Sequence, residues 1–169
     1  MVRFARWRPV ANLAWQLAVL AALIAAFFVR LPQVSGLSME PHIRSGEYVM
    51  INTFAYRIGA PKRGDIVAFR HDGDARAIFI KRVVGVPGDR VSIRRGQVYL
   101  NGASLAEPYV VHGDDRTFAQ ITVPARCVYV LGDNRGESED SRSFGPVEDD
   151  RLIGRAVAGI WPPHMLGGL

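Results

Sequence analysis

The sequence predicts a mostly β, antiparallel domain standing behind one N-terminal apolar helix. Three observations carry this reading. Residues 9–29 contain no charged side chain. Beyond residue 34 the chain breaks into short apolar runs separated by Gly, Pro and Asp, the punctuation of strands and tight turns. Scarcely any later segment repeats its apolar residues at the helical period. With 169 residues, 49% hydrophobic and 22% charged, there is enough chain for one domain with a small insertion and one membrane segment.

As a helix, the uncharged N-terminal stretch is roughly 30 Å long, the thickness of a bilayer core. Arg3, Arg6 and Arg8 precede it and Arg30 follows it. The positive-inside rule then leaves residues 1–8 in the cytoplasm, makes 9–29 a transmembrane anchor, and places 30–169 outside the cell membrane as a single-pass, extracytoplasmic domain. A cleavable secretory signal competes, since Ala25 and Ala26 lie near its end, but the stretch is long for a signal h-region. A core helix is disfavoured because the segment is apolar on every face.

Charge excludes one class of partner. Of the net charge of +5, residues 1–30 carry +4, so the body of the chain is near neutral and has no basic stripe for nucleic acid. Cys127 is the only cysteine, so the fold is held by its core and not by an internal disulfide. His42, His71, His112 and His164 are scattered without metal-ligand spacing and are expected at the surface or in loops. No metal or other cofactor is called for.

After the anchor the elements follow in order. Strands are expected at 47–51, after Ser45-Gly46, and at 65–70, after Arg63-Gly64. A longer buried strand at 77–86 closes in Pro87-Gly88-Asp89. A hairpin of 90–93 with 97–100 precedes the tight-turn pair Asn101-Gly102. A strand at 128–131 runs into Gly132-Asp133-Asn134-Arg135, and the last strand covers 153–160. Residues 149–153 offer at most one helical turn. The turn-rich segment 94–126 is expected to form a small inserted subdomain or flap.

Two residue types in this frame suggest chemistry. Ser38 sits between Gly36-Leu37 and Pro41, where a sharp backbone can expose a hydroxyl and aim an N–H at a reacting oxygen. Lys81 ends the apolar run Phe79-Ile80 in a chain with two lysines, Lys62 and Lys81, against nineteen arginines. Arginine cannot lose its proton at working pH, but a buried lysine can. A serine hydroxyl needs a base, and neutral lysine can serve. Moving a lysine pKa from about 10.4 to about 7–8 takes ~3–5 kcal/mol, which an apolar setting can supply. If 77–86 is a strand, Arg82 points to the face opposite Lys81. The third block, Gly132 to Arg142, reads either as a charged surface turn or as support for such a site. In the second reading Ser138 holds the lysine amine, and Asp140 and Arg142 form a bracing ion pair.

With these blocks in view, the chain resembles the type I signal peptidases of bacteria. The matching stretches are Gly36-Leu37-Ser38-Met39-Glu40-Pro41, Arg63-Gly64-Asp65-Ile66-Val67, Ile80-Lys81-Arg82-Val83-Val84-Gly85-Val86-Pro87-Gly88-Asp89, and the block from Gly132 to Arg142, all in the family's order behind an anchor. The resemblance implies a membrane-anchored, mostly β serine endopeptidase that removes signal peptides from exported preproteins after small residues in an Ala-x-Ala pattern. Ser38 would be the nucleophile and Lys81 the general base. The oxyanion hole would use the Ser38 N–H and the position of Gly36, where some members carry a serine hydroxyl. Val34, Met39, Phe79 and Ile80 match positions lining shallow apolar pockets. After Pro41 many members continue Thr-Leu; here His42-Ile43 stands instead. Implied partners are preprotein signal peptides, the lipid bilayer and the secretion translocon. Two other readings stay open: a specialised maturation peptidase of the same Ser-Lys superfamily, acting on pilin-type or conjugation-type substrates, and a catalytically silent membrane-anchored β scaffold.

Overall fold

The computed structural model describes residues 8–71, 74–161 and 167–168. Helix α1 runs from Arg8–Phe28, and its stretch Val10–Phe28 has a mean hydropathy of 2.0 with none of its described side chains buried. Among the described residues it is the one helix long and apolar enough to cross a membrane. The helix stops earlier than the uncharged stretch. Val29 and Arg30 form a short strand, β1 (Val29–Arg30), because they pair with Asn52 and Ile51 of β2 (Tyr48–Asn52). The Thr53 N–H and hydroxyl both donate to the Phe28 carbonyl, at 2.9 and 3.0 Å, and tie the foot of α1 to the domain.

A single turn, α2 (Ala55–Ile58), leads to β3 (Ile66–His71), β4 (Asp74–Gly85), β5 (Arg90–Arg94), β6 (Gln97–Leu100), β7 (Ala103–Ser104), β8 (Phe118–Thr122) and β9 (Cys127–Leu131). Then come α3 (Ser141–Phe144), β10 (Val147–Glu148), a 3₁₀ turn at Asp149–Arg151, β11 (Leu152–Trp161) and β12 (Gly167–Gly168). The larger sheet has the order β1-β2-β11-β3-β4-β9-β10, with β12 beside β11, and its pairs are antiparallel. The smaller sheet, β7-β6-β5-β8, is antiparallel as well.

Strand periodicity explains the packing. Along β3, Ile66 and Ala68 face one core with Met39, Ile43, Val49, Ile51 and Ile80, while Val67 and Phe69 face another with Val83, Val128 and Val130. A third cluster lies between the sheets, where Val84 and Leu131 meet Val91, Ile93 and Val98. At ~1.5–3 kcal/mol per fully buried aliphatic side chain, these cores dominate the stability of the domain. Met39 and Ile43, 2% and 0% exposed, plug the loop that carries Ser38 into the first core.

Some expectations need correction. The long strand begins at Asp74, before the expected Ala77, because its pairing with β3 continues to His71↔Asp74. The helical turn is shorter than 149–153, since Leu152 and Ile153 already belong to β11. His71 is no loop residue. It ends β3 half-buried, its ring 4.4 Å from that of Phe144 and 6.0 Å from that of Phe79, because the aromatic neighbours cover its apolar faces. His42 and His112 are exposed, and His164 lies outside the described residues.

Candidate active site

Two elements bring Ser38 and Lys81 together. Ser38 opens a turn in which the Glu40 N–H bonds the Leu37 carbonyl and the Ile43 N–H bonds the Met39 carbonyl. Gly36 precedes it with φ of +113°, a conformation that costs a side-chain-bearing residue and costs glycine little. Lys81 lies in β4 opposite Val67 of β3, and its alternation with Arg82 sends the two cations to opposite faces. Arg82 meets Asp133, at 2.8 and 2.7 Å.

The Lys81 amine is 2.7 Å from Ser38 Oγ and also donates to the Ile80 carbonyl, at 3.2 Å. Lys81 is 4% exposed, and the Phe79 ring lies 5.6 Å from its amine. Burial pushes its pKa down to about 8, against the pull of the Asp140, Glu139 and Asp133 carboxylates and with help from Arg142. A fraction of the amine is therefore neutral near pH 7, the form that can accept a proton from a neighbouring hydroxyl. The Ser38 N–H has no hydrogen-bond partner among the described residues. The Gly36 N–H faces the Ser45 hydroxyl at 3.4 Å.

Both groups open onto a cleft of about 540 Å³ between residues 32–39 and the edge of β4. The predicted pocket residues Val34, Met39, Phe79 and Ile80 all line it. Met39 also belongs to the core, so it forms the floor more than the wall. Strand β9 pairs with β4 only from Arg82 onward, which leaves the edge at residues 78–80 without a neighbouring strand among the described residues.

The block after β9 clamps this arrangement. The Asn134 N–H donates to the Ser38 carbonyl at 3.0 Å. A Cβ on Gly132 would lie 2.5 Å from that same carbonyl oxygen and 2.3 Å from Ser138 Oγ, so only glycine fits. Asp140, fully buried, caps α3 and accepts from the Gly132 N–H at 3.0 Å. Arg142 grips it with two bonds of 2.8 Å, the expected brace. Burial alone would raise the Asp140 carboxyl, but Arg142, the Gly132 N–H and the Ser138 hydroxyl outweigh it and hold the pKa below the usual range. Ser138 departs from expectation. Its hydroxyl donates to Asp140 at 2.7 Å, and the Lys81 amine donates to Ser38 and the Ile80 carbonyl and not to Ser138.

Several residues of this network were not singled out from the sequence. Glu107 clamps Arg135, at 3.1 and 2.6 Å, and Arg135 in turn donates to the Gly132 carbonyl. Asp114 pairs with Arg142 and Arg116. The segment between β7 and β8 is thus fastened to the loop that supports Ser38. Glu137 and Glu139 line the mouth of the cleft. The one signal in the sequence was the density of charge in the block itself; its partners lie far away in the chain. Among the described residues no cluster of His, Cys, Asp or Glu could hold a metal ion.

Comparison with known proteins agrees with this picture. The family model for signal peptidase, peptidase S26, matches residues 7–161. A probable signal peptidase I-2 of Synechocystis sp. is 36% identical over 154 residues, 88% of this chain and 71% of that one. A signal peptidase IB of Staphylococcus aureus is 32% identical over 162 residues, covering 85% and 84%. A crystal structure of a signal peptidase I from Enterococcus faecalis V583 is 34% identical, with a TM-score of 0.52, over 58% of this chain and 97% of that one. Fold and site define a serine peptidase. The chain belongs to the S26 signal peptidase family, whose members cleave signal peptides.

Proposed function

We propose that this enzyme is a single-pass membrane-anchored endopeptidase that cuts preproteins after small residues in an Ala-x-Ala pattern, with Ser38 as nucleophile and neutral Lys81 as general base. The 2.7 Å contact between the Lys81 amine and Ser38 Oγ, inside an apolar wall, carries the reading. The signal peptide adds as an extended strand to the open edge of β4, with main-chain hydrogen bonds supplying affinity. Val34, Phe79 and Ile80, over a Met39 floor, leave room for small side chains. Lys81 takes the Ser38 proton as Oγ attacks the scissile carbonyl. The oxyanion points at the Ser38 N–H. No serine hydroxyl stands at Gly36 to add a second donor, and the Gly36 N–H is turned toward Ser45. Lys81 then protonates the leaving amine, and water activated by the same amine hydrolyses the acyl-enzyme. Asp140, Arg142 and Ser138 hold the loop that fixes Ser38.

The anchor α1, with its N-terminus in the cytoplasm, sets the cleft close to the outer face of the cell membrane, where translocon-delivered signal peptides lie. Cleavage of a purified preprotein bearing Ala-x-Ala, in detergent, tests the reading beside Ser38→Ala and Lys81→Ala. Cutting after the second alanine by the wild-type enzyme alone supports it; cutting by either variant overturns the dyad.

A further inference from the structure

We propose that the cavity at the foot of α1, walled by Arg30, Arg57 and Arg70, binds the anionic phosphodiester headgroup of a membrane lipid. The cavity holds about 700 Å³ and lies away from the catalytic cleft, with no lining residue in common. Phe27 and Phe28, the last residues of the apolar helix, form one side, so its opening lies where the bilayer core ends if α1 spans the membrane. The assignment rests on that spanning reading.

Three observations point to an anion. The lining carries four arginines against two aspartates, Asp149 and Asp150. Arg30, Arg57 and Arg70 are exposed and have no ion pair or hydrogen-bonded side-chain partner among the described residues, while Arg151 is already engaged with Glu148. Guanidinium groups converging on one cavity suit the paired oxygens of a phosphodiester. The apolar side suits the rest of a lipid: Phe27 is 79% exposed, and Phe28 beside it carries the Phe54 ring at 4.9 Å. The two hydrogen bonds from Thr53 to the Phe28 carbonyl tie the helix to the cavity wall. A cavity that joined bare cations to an apolar rim at a membrane surface would attract anionic lipid above its share of the bilayer.

The test reconstitutes the full-length protein into phosphatidylcholine vesicles containing a minority of phosphatidylglycerol, checks flotation, extracts it in mild detergent and measures the phospholipid that stays bound. The wild-type enzyme should retain phosphatidylglycerol well above its share. The Arg30→Gln/Arg57→Gln/Arg70→Gln variant should retain both lipids in the vesicle ratio, yet cleave a soluble peptide substrate in detergent at the wild-type rate. Arg57→Gln alone, a surface change on α2, should cut the enrichment roughly fivefold. No enrichment by a wild-type protein that floats, or enrichment that survives in the triple variant, overturns the headgroup site alone. Failure to float with any vesicle overturns the anchor and the site with it. Complete displacement of the retained lipid by inorganic phosphate reduces the cavity to a free-phosphate site and overturns the lipid assignment.

Discussion

Around the catalytic cleft Arg82, Arg135 and Arg142 are each clamped by a carboxylate, whereas at the foot of α1 Arg30, Arg57 and Arg70 line a cavity and form no ion pair among the described residues, although Asp149 and Asp150 share its wall. The two groups use the same side chain for opposite ends. Arg135 and Arg142, with side chains 2% exposed, have been taken out of water, and only their fixed pairs and extra bonds to carbonyls make that tolerable. Such a network resists change: moving one charge strands another. The exposed group has lost little hydration and fixes nothing in the fold. The difference teaches that pairing marks where the enzyme spends charge on rigidity, and its absence marks where charge is held ready for something outside the chain.

The rigid end should break hardest at its centre. Lys81→Arg keeps a cation beside Ser38 but removes any neutral base at working pH, so cleavage should fall below detection. Rate measurements on a peptide substrate check this, and near-normal turnover would sink the base assignment. Lys81→Met should be equally inactive but unfold at no lower temperature, because it replaces an amine that resists burial with an apolar chain of similar length; a scanning thermal melt reads that directly. The next largest effect is expected at Gly132→Ala. Its methyl group collides with the Ser38 carbonyl oxygen and the Ser138 hydroxyl, so kcat should drop ~10²-fold with KM nearly unchanged. An unaltered kcat would show that the Ser38 loop is not clamped there.

How much of this was legible in the sequence follows from the same contrast. Ser38, Lys81 and the pair Asp140 and Arg142 could be singled out because each sits in a compact local block, glycine and proline around a serine, a rare lysine after an apolar run, and a dense charged turn, and the blocks together match a family's order. The β architecture was legible through alternation and turn residues, as at 97–100, which forms β6 with those bounds. What could not be read were the long-range pairs. Glu107 with Arg135 and Asp114 with Arg142 each span 28 positions, and nothing local in either segment specifies the other. Strand β8 was missed for a related reason: Phe118 to Thr122 has little burial of its own and is a strand because β5 lies beside it. The partner of Ser138 was not legible, because Asp140 and Lys81 are both near it in the expected site and the sequence does not fix which one its hydroxyl meets.

Those long-range pairs give the comparison its direct test. Asp114→Asn leaves one end of the Arg142 guanidinium without its counter-charge in a site that excludes water. It should cost about 1–3 kcal/mol in denaturant unfolding and slow turnover as the Ser38 support loosens. Arg57→Gln, at the exposed end, should change unfolding by no more than about 0.5 kcal/mol. Equal effects from the two substitutions would erase the distinction between the two sets of arginines.

The smallest expected effect sharpens the electrostatics of the cleft itself. Glu139 lies at its mouth, exposed, and its carboxylate favours the charged form of Lys81, opposing burial. With the Lys81 pKa pushed down to about 8, kcat/KM should rise through the neutral range and level off above about pH 8 if the neutral amine is the base, as proposed. Glu139→Gln removes one influence that raises that pKa, so the rising limb should move to lower pH and the plateau rate should stay the same. Water screens an exposed carboxylate, so the displacement should be a small part of a pH unit. A pH series on both enzymes decides it. A limb that moves the other way would mean that Glu139 acts on the substrate and not on the lysine.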